Sequence, residues 1–252
     1  RVAGYTGTWV YRAQDNNWLQ LPLDLQPPPR MNTRLVCDTK NQLLVLFGGD
    51  GQSHYLADTW LYDLKTRQWR VAKAPGGPAP RAGHFTVYDP ATGWVIIGGG
   101  YNRTDLTDMW AYDAAADRWQ RLPGSVPTGF YLTADLAPEK RLLVLVTNTR
   151  KPGDRMSCNI LYPVRTTYGY RIEKRTLARS GAPPSPQQPM AKRPPDERTS
   201  GITQDPARQQ AARLREMPVN QWVHLGVHLA DPGRVAPART WGSATFDSNR
   251  GQ

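Results

Sequence analysis

The sequence predicts an all-β protein assembled from a repeated unit of four strands. Three segments share the pattern Trp-x-Tyr followed by a second Trp, and they begin at Trp9, Trp60 and Trp110. The steps between them are 51 and 50 residues, and the second Trp always follows the first by nine residues. Self-similarity at such a period indicates one supersecondary unit that recurs along the chain. The apolar runs between these segments are short, rich in β-branched residues and bounded by Gly, Pro, Asn and Asp, which favours strands over helices.

Four strands are assigned to each unit, in order along the chain. The first begins shortly after Arg30 or Arg81, and the second is an apolar run that ends in glycines, at residues 43–49 and 94–100. The third strand carries Trp-x-Tyr, and the fourth carries the last Trp. Glycine at the end of the second strand lets two backbones approach where a side chain would not fit.

This unit resembles the kelch repeat. The residues that carry the resemblance are Gly48-Gly49 with Tyr62 and Trp69, and Gly98-Gly99 with Tyr112 and Trp119. The resemblance implies a kelch-type β-propeller, in which four-stranded blades surround a central channel. It is good over roughly the first half of the chain and weakens afterwards.

The repeat pattern also predicts how the chain divides. The expected parts are the last two strands of a blade (1–25), two kelch blades (26–73 and 74–123), a degenerate blade (124–223) and the start of a further blade (224–252). The chain begins at a third strand and stops where a second strand would start, so the sequence predicts an incomplete propeller that belongs to a larger one.

The degenerate unit is predicted from a weaker alignment. Ile160, Tyr162 and Tyr170 align with Trp60, Tyr62 and Trp69, and Gly129 stands where Arg30 and Arg81 stand in the other units. Residues 176–218 lose the pattern and are rich in Pro and Arg, which favours an inserted loop before the last strand of the blade. Within this insertion, Asp205-Pro206 predicts the start of a short helix. One very divergent extra blade is the alternative.

Composition limits the class of protein. The nine Trp and eleven Tyr suit blades that pack through large rings, and the net charge of +11 suits an acidic partner. No apolar run approaches the roughly 20 residues that span a bilayer. The two cysteines, Cys37 and Cys158, fall in different blades and are predicted to be unpaired, so they leave the compartment undecided. The family resemblance favours a secreted or periplasmic location.

A candidate site comes from the repeat position that Arg30, Arg81 and Arg239 share. The resemblance implies that the first strand of each blade is innermost, so these arginines would face the mouth of the channel. Together with Arg34 and His84 they would form a basic ring that binds carboxylates through bidentate guanidinium contacts. In the alternative, the arginines hydrogen-bond carbonyl groups of neighbouring loops.

The loops between the second and third strands open on the same face in this family. Their residues His54, Tyr55, Tyr101 and Arg103 are therefore candidates for partner contact. Asp58 and Asp108, which precede the Trp-x-Tyr segments, are interpreted as turn-forming residues.

The sequence offers no residues to which catalysis can be assigned. It contains no Gly-rich phosphate loop, no G-x-S-x-G nucleophile and no Cys/His zinc spacing. The copper site of galactose-oxidase-like kelch proteins needs a Tyr-His pair, whereas this chain has His54-Tyr55 in the reverse order. We therefore predict no catalytic residue, no metal site and no cofactor.

The predicted function is that of a non-catalytic binding or assembly module. Its partner would be an acidic protein segment or a polyanionic glycan, or else the remainder of its own propeller or another subunit. Nucleic acid is not favoured, because the aromatic residues are committed to the repeat and leave no stacking platform. The alternative is a fragment of a secreted, carbohydrate-active, galactose-oxidase-like kelch enzyme whose catalytic residues lie outside this chain.

Overall fold

A computed structural model describes residues 7–128, 130–148, 164–172, 214 and 216–229. These residues form strands and their connections almost without helix, which confirms the predicted all-β fold of four-stranded antiparallel sheets. The described part of the chain contains no helix that is long and apolar enough to cross a membrane.

An N-terminal hairpin precedes the first four-stranded sheet. The hairpin pairs β1 (Thr8–Arg12) with β2 (Asn17–Leu21). Sheet I then follows in chain order and consists of β3 (Leu35–Asp38), β4 (Leu43–Asp50), β5 (Tyr55–Asp63) and β6 (Gln68–Val71). Its four strands lie where the sequence predicts them.

Sheet II repeats this arrangement. Its strands are β7 (Phe85–Asp89), β8 (Trp94–Gly98), β11 (Met109–Asp113) and β12 (Arg118–Leu122). A short hairpin of β9 (Tyr101–Asn102) and β10 (Thr104–Asp105) lies between its second and third strands.

Sheet III brings together segments that are distant in the sequence. Its strands are β13 (Phe130–Ala137), β14 (Leu142–Asn148), β15 (Val164–Arg171) and β16 (Trp222–Leu229). The third and fourth strands are antiparallel neighbours although residues 172–221 separate them in the sequence. Most of the predicted insertion lies outside the described residues, but Leu214 and Glu216 of its predicted helix are described and are helical. The predicted boundary between residues 223 and 224 falls inside β16.

The strand register corrects the alignment of the degenerate unit. In sheet I, Tyr62 pairs with Leu44 on one side and with Trp69 on the other. In sheet III, Tyr170 likewise pairs with Leu143 and with Trp222. Tyr170 therefore occupies the position of Tyr62, and its alignment with Trp69 was wrong. The interval between the paired residues of the second and third strands is 18 residues in sheet I, from Leu44 to Tyr62, but 27 in sheet III, from Leu143 to Tyr170, so the constant spacing on which that alignment relied is lost before β15. Ile160, Tyr162 and Gly129 lie outside the described residues.

The core lies between the faces of successive sheets. One cluster joins sheets I and II and contains Val45, Phe47 and Leu61 on one side and Ile97 and Tyr112 on the other. A second, larger cluster joins sheets II and III. The first strands β3 and β13 both contact β7, so the first strands lie beside one another, as the resemblance implies for the strands around a channel.

Glycine allows close approach between adjacent sheets, as predicted. The Gly49 amide donates to the Arg81 carbonyl oxygen at 2.9 Å. A Cβ on Gly48 would lie 2.8 Å from the same oxygen, and the φ of Gly48 is 58°, a conformation that favours glycine. The end of β4 therefore fits against the loop that leads into sheet II only without a side chain.

Candidate partner-binding face

Arg30 is hydrogen-bonded inside the protein and is not part of a binding surface. We call the group that it forms with Asp58 and Trp60 a clasp. Its guanidinium group makes a bidentate ion pair with Asp58, with both N–O distances at 2.8 Å. It also donates to the carbonyl oxygens of Pro28 at 3.1 Å and Gly48 at 3.0 Å. The indole nitrogen of Trp60 donates to the same carboxylate at 2.6 Å. Four of the five guanidinium N–H groups are therefore used inside sheet I and the loop that precedes it.

Arg81 makes the same set of contacts in sheet II. Its distances to the two carboxylate oxygens of Asp108 are 2.7 and 2.9 Å. It donates to the carbonyl oxygens of Ala79 and Gly99, each at 3.1 Å, and Trp110 donates to Asp108 at 2.7 Å. The Arg81 side chain is 0% exposed and that of Arg30 is 5% exposed.

These two clasps correct the predicted basic ring. Arg30 and Arg81 neutralise carboxylates of their own sheets and have little surface left for a ligand, as in the alternative that the sequence left open. Asp58 and Asp108 are ion-pair partners and not only turn-forming residues. A sequence signal for this pairing exists, because each Asp follows its Arg by nearly the same interval, 28 and 27 residues.

The clasps also determine the charge state of their carboxylates. Burial disfavours the ionised form of Asp58, but the hydrogen bonds from Arg30 and Trp60 and the charge of Arg30 outweigh it and lower the pKa below its usual value. The pKa of Asp108 is lowered by the corresponding contacts with Arg81 and Trp110. Both clasps therefore hold an ionised carboxylate at neutral pH.

His84 also departs from the predicted basic ring, because it is buried and uncharged. Burial, together with the positive charges of Arg81 and Arg34, lowers the pKa of His84 to about 3. Its ring packs edge-on against Phe47 at a centroid distance of 5.7 Å. Both ring nitrogens are buried and have no hydrogen-bond partner among the described residues. The neutral imidazole is thus a core side chain below the face that carries the loops.

Arg34 is the member of the predicted ring that the structure leaves at the surface. It immediately precedes β3, is half-buried, and donates from Nη2 to Thr133 Oγ1 of β13 at 3.2 Å. Burial lowers the pKa of its guanidinium group. This contact links the first strands of sheets I and III, so the Arg34 side chain lies where the innermost strands meet. Arg239 lies outside the described residues.

The structure brings Tyr55 and Tyr101 together. Their rings form an edge-to-face pair with a centroid distance of 5.6 Å and an interplanar angle of 86°. The Tyr101 hydroxyl accepts a hydrogen bond from the Asn32 side-chain amide at 3.1 Å. A Cβ on Gly83 would lie 2.6 Å from the Tyr101 ring, so the ring rests directly on the backbone of the neighbouring loop. Both tyrosines are partly exposed and are held in place from several sides.

The other two predicted loop residues, His54 and Arg103, are exposed and lie close to the two tyrosines in the sequence. His54 precedes Tyr55 directly, and its Nδ1 is 3.0 Å from the Ser53 hydroxyl. Arg103 lies at the turn between β9 and β10 with a φ of 62°. Sequence reasoning missed Asn32, whose role depends on a contact 69 residues away. It also missed the exposed side chain of Met31, whose backbone pairs with Asp50 at the end of β4.

These residues define one candidate face. We call it the loop face; it consists of Asn32, Arg34, His54, Tyr55, Tyr101 and Arg103. It combines a fixed aromatic pair with cationic and amide donors, an arrangement suited to recognition of a polar or acidic chain. In the described part of the chain, no three His, Cys, Asp or Glu side chains lie close enough together to hold a metal ion.

The family follows from a comparison of the sequence with known protein families. Residues 3–158, more than half of the chain, match the model of the KLHDC2/KLHL20/DRC7 Kelch-repeats domain. The chain belongs to the kelch-repeat family. Kelch repeats generally mediate protein binding.

Several curated plant proteins are similar to this kelch chain over part of their length. Adagio-like protein 1 of Oryza sativa subsp. japonica is 30% identical over 118 residues, which cover 45% of this chain and 19% of that protein. Serine/threonine-protein phosphatase BSL2 of Arabidopsis thaliana is 31% identical over 155 residues, covering 57% and 15%. Acyl-CoA-binding domain-containing protein 4 of Arabidopsis thaliana is 28% identical over 122 residues, covering 47% and 18%. The chain thus spans less than a fifth of the length of these relatives.

Proposed function

We propose that this kelch domain is a binding module that holds an acidic segment of a partner protein on the loop face. The observation that carries the proposal is the Tyr55–Tyr101 pair, which two adjacent sheets present together with Arg34 at the edge of the innermost strands. Arg30 and Arg81 hold the loops in position and do not contact the partner.

The aromatic pair supports a protein partner. Tyrosine supplies a large contact area at a low entropic cost, and rings that are already fixed lose little freedom on binding. Tyr101 is fixed by Asn32 and by the backbone at Gly83, and Tyr55 is fixed by Tyr101. The loop face is thus largely preorganised.

The charge distribution supports an acidic segment. The whole chain carries a formal net charge of +11, which attracts acidic partners over a distance. On the loop face, Arg34 and the exposed Arg103 offer guanidinium groups. Guanidinium groups pair with carboxylates through two parallel hydrogen bonds when both partners can align.

A titration with a fluorescent decapeptide of alternating Glu and Tyr tests the proposal. Arg34→Ala and Tyr101→Ala are each expected to weaken the affinity for this peptide about tenfold at low salt, since each removes a contact that the proposal assigns to the partner. A decapeptide in which Lys replaces Glu is expected not to bind. Sulfated heparin in place of the peptide distinguishes a glycan from a protein segment.

The matched control is Arg118→Ala. Arg118 is an exposed arginine at the start of β12, at the edge of sheet II opposite the loop face, and its removal lowers the net charge by the same amount as Arg34→Ala. Equal losses of affinity for both variants would show that binding depends on total charge and would overturn the assignment of the loop face. Tighter binding of heparin than of the peptide would favour a polyanionic glycan.

A further inference from the structure

The outer face of sheet III, on the side away from sheet II, is covered in an unusual way. In sheet I, Leu61 pairs with Val45 and is buried against sheet II, where Tyr112 belongs to the same cluster. In sheet II, Ala111 pairs with Ile96 and is buried against Tyr170 of sheet III in the same manner. The third strand of a sheet thus presents a side chain at this position to the aromatic residues of the next sheet.

In sheet III this position is Gly169, which pairs with Val144. The absent side chain is replaced by Met217 of the segment that precedes β16. A Cβ on Gly169 would lie 2.8 Å from Cε and 3.3 Å from Sδ of Met217. Met217 is 5% exposed and forms a cluster with Ala137 and Leu142.

Leu214 covers the rest of the same face. It packs against this cluster together with Val144, Val223 and Leu225, which belong to the second and fourth strands of sheet III. The cluster that contains Leu214 and Met217 therefore includes residues of the first, second and fourth strands of sheet III, and Met217 also contacts Gly169 of the third strand.

Polar contacts with Arg171 hold the segment in place. The Arg171 guanidinium group donates to the carbonyl oxygen of Leu214. The carbonyl oxygen of Arg171 accepts from the Asn220 amide at 2.8 Å, and Val219 forms a parallel bridge with Arg171. The segment is thus fastened to the end of β15 by both the side chain and the backbone of one residue.

We propose that Leu214 and Met217 form a built-in cap that takes the place of a neighbouring blade on sheet III. The thioether side chain of methionine is flexible and fills the groove that Gly169 leaves along the sheet. With the cap in place, the outer face of sheet III is closed to a further kelch blade and to any partner that would insert an aromatic ring there. An uncovered face of this kind would be a site of unwanted association.

Oxidation of methionine by dilute hydrogen peroxide, followed by mass spectrometry, tests the cap in the unmodified protein. Met31 is 59% exposed and Met109 is 0% exposed, so these two residues calibrate the fast and slow limits. Met217 is expected to oxidise at least about tenfold more slowly than Met31, because a buried sulfur is shielded from peroxide. Oxidation of Met217 at the rate of Met31 would overturn the cap.

The variant Gly169→Leu tests where the cap is seated. It restores the residue that sheet I has at this position and fills the groove, so it is expected to displace Met217 and to bring its oxidation to within about twofold of Met31. Met109 should remain slow, which shows that the core between sheets II and III is intact. Glu216→Gln changes an exposed residue beside the cap and is expected to leave the rate of Met217 unchanged. If Met217 in Gly169→Leu still oxidised as slowly as in the unmodified protein, Met217 would not be seated against Gly169, and the proposal would be overturned.

Discussion

Sheets I and II differ from sheet III in the arginine–aspartate ion pairs that lie near the ends of their strands. The first two sheets use the same clasp, in which an arginine preceding the first strand binds the aspartate that precedes the Trp-x-Tyr segment. In sheet III the corresponding sequence position is Gly129, and Arg141, which directly precedes β14, forms an ion pair with Asp89 of sheet II. The arginine that recurs at a constant repeat position thus forms an ion pair within its own sheet. In the irregular sheet III, the ion pair of Arg141 instead joins two sheets.

The largest effect is expected when the clasp of sheet II is broken. Arg81→Ala leaves the Asp108 carboxylate and the carbonyl oxygens of Ala79 and Gly99 without their donor in a buried site. Removal of one partner from a buried ion pair costs about 3–5 kcal/mol of unfolding free energy. Urea denaturation measures this loss.

The equivalent variant in sheet I, Arg30→Ala, compares the contributions of the two clasps to the unfolding free energy. Arg30→Ala is expected to cost roughly half as much, because Asp58 is 30% exposed and Asp108 is 20% exposed, so water replaces the lost donors more readily at Asp58. Arg118→Ala, at an exposed site, is the control and should change the stability by no more than about 0.5 kcal/mol. If Arg81→Ala matched this control, the clasp would have no role in stability.

A smaller, pH-dependent effect on the unfolding free energy is expected at His84 of sheet II. The corresponding residue of sheet III is Leu132. Both residues lie ten positions before the second strand of their sheet. The pKa of His84 is lowered from 6.5 to about 3, so between these values the unfolded chain binds a proton that the folded chain does not. Stability therefore falls as the pH decreases below 6.5, by up to about 1.4 kcal/mol per pH unit from this group.

His84→Leu is expected to remove this contribution to the pH dependence. The measurement is the unfolding free energy between pH 7 and pH 4.5 for the unmodified and variant proteins. Thr33→Leu changes the corresponding position of sheet I, where no titrating group is lost, and is expected to leave the slope as it is. Equal slopes for His84→Leu and the unmodified protein would show that the pKa of His84 is the same in the folded and unfolded states, and would contradict the lowered pKa.

The smallest effect is expected at the hairpin tyrosines. The Tyr112 hydroxyl donates to Asp117, five residues further along the chain, at 2.5 Å. In sheet I the corresponding tyrosine is Tyr62, and the residue five positions after it is Arg67, not an aspartate. Tyr112→Phe is expected to lower the unfolding free energy by about 1–1.5 kcal/mol, because a partly buried hydrogen bond is lost. Tyr62→Phe should cost distinctly less. Thermal denaturation of both variants decides the matter, and equal costs would contradict a role for Asp117.

The sequence predicted the strands of sheets I and II because their signals are local. The Trp-x-Tyr pattern, the terminal glycines and the constant spacing all lie within one unit of about fifty residues. The same method misaligned Tyr170, because the connection between β14 and β15 is nine residues longer than its counterpart in sheet I, as the paired residues Leu143 and Tyr170 show against Leu44 and Tyr62. Spacing is informative only while the chain keeps the same length between paired strands.

The candidate site was predicted less completely than the fold. The loop residues Tyr55 and Tyr101 were named from the sequence, but nothing in it indicated that their rings meet. Arg30, Arg81 and His84 were assigned to a surface, but Arg81 and His84 are buried and the Arg30 side chain is only 5% exposed. Residue type and repeat position leave open whether a guanidinium group points to solvent or to an aspartate of its own sheet.

The sequence by itself therefore determined the all-β class, the kelch repeat and the strand order of its regular units, since these depend on patterns along the chain. Only the tertiary structure decided which charged groups neutralise one another, which tyrosines meet, and that Met217 fills the space above Gly169. The physical reason is that ion pairing, ring contact and the filling of a groove depend on distances between residues far apart in sequence.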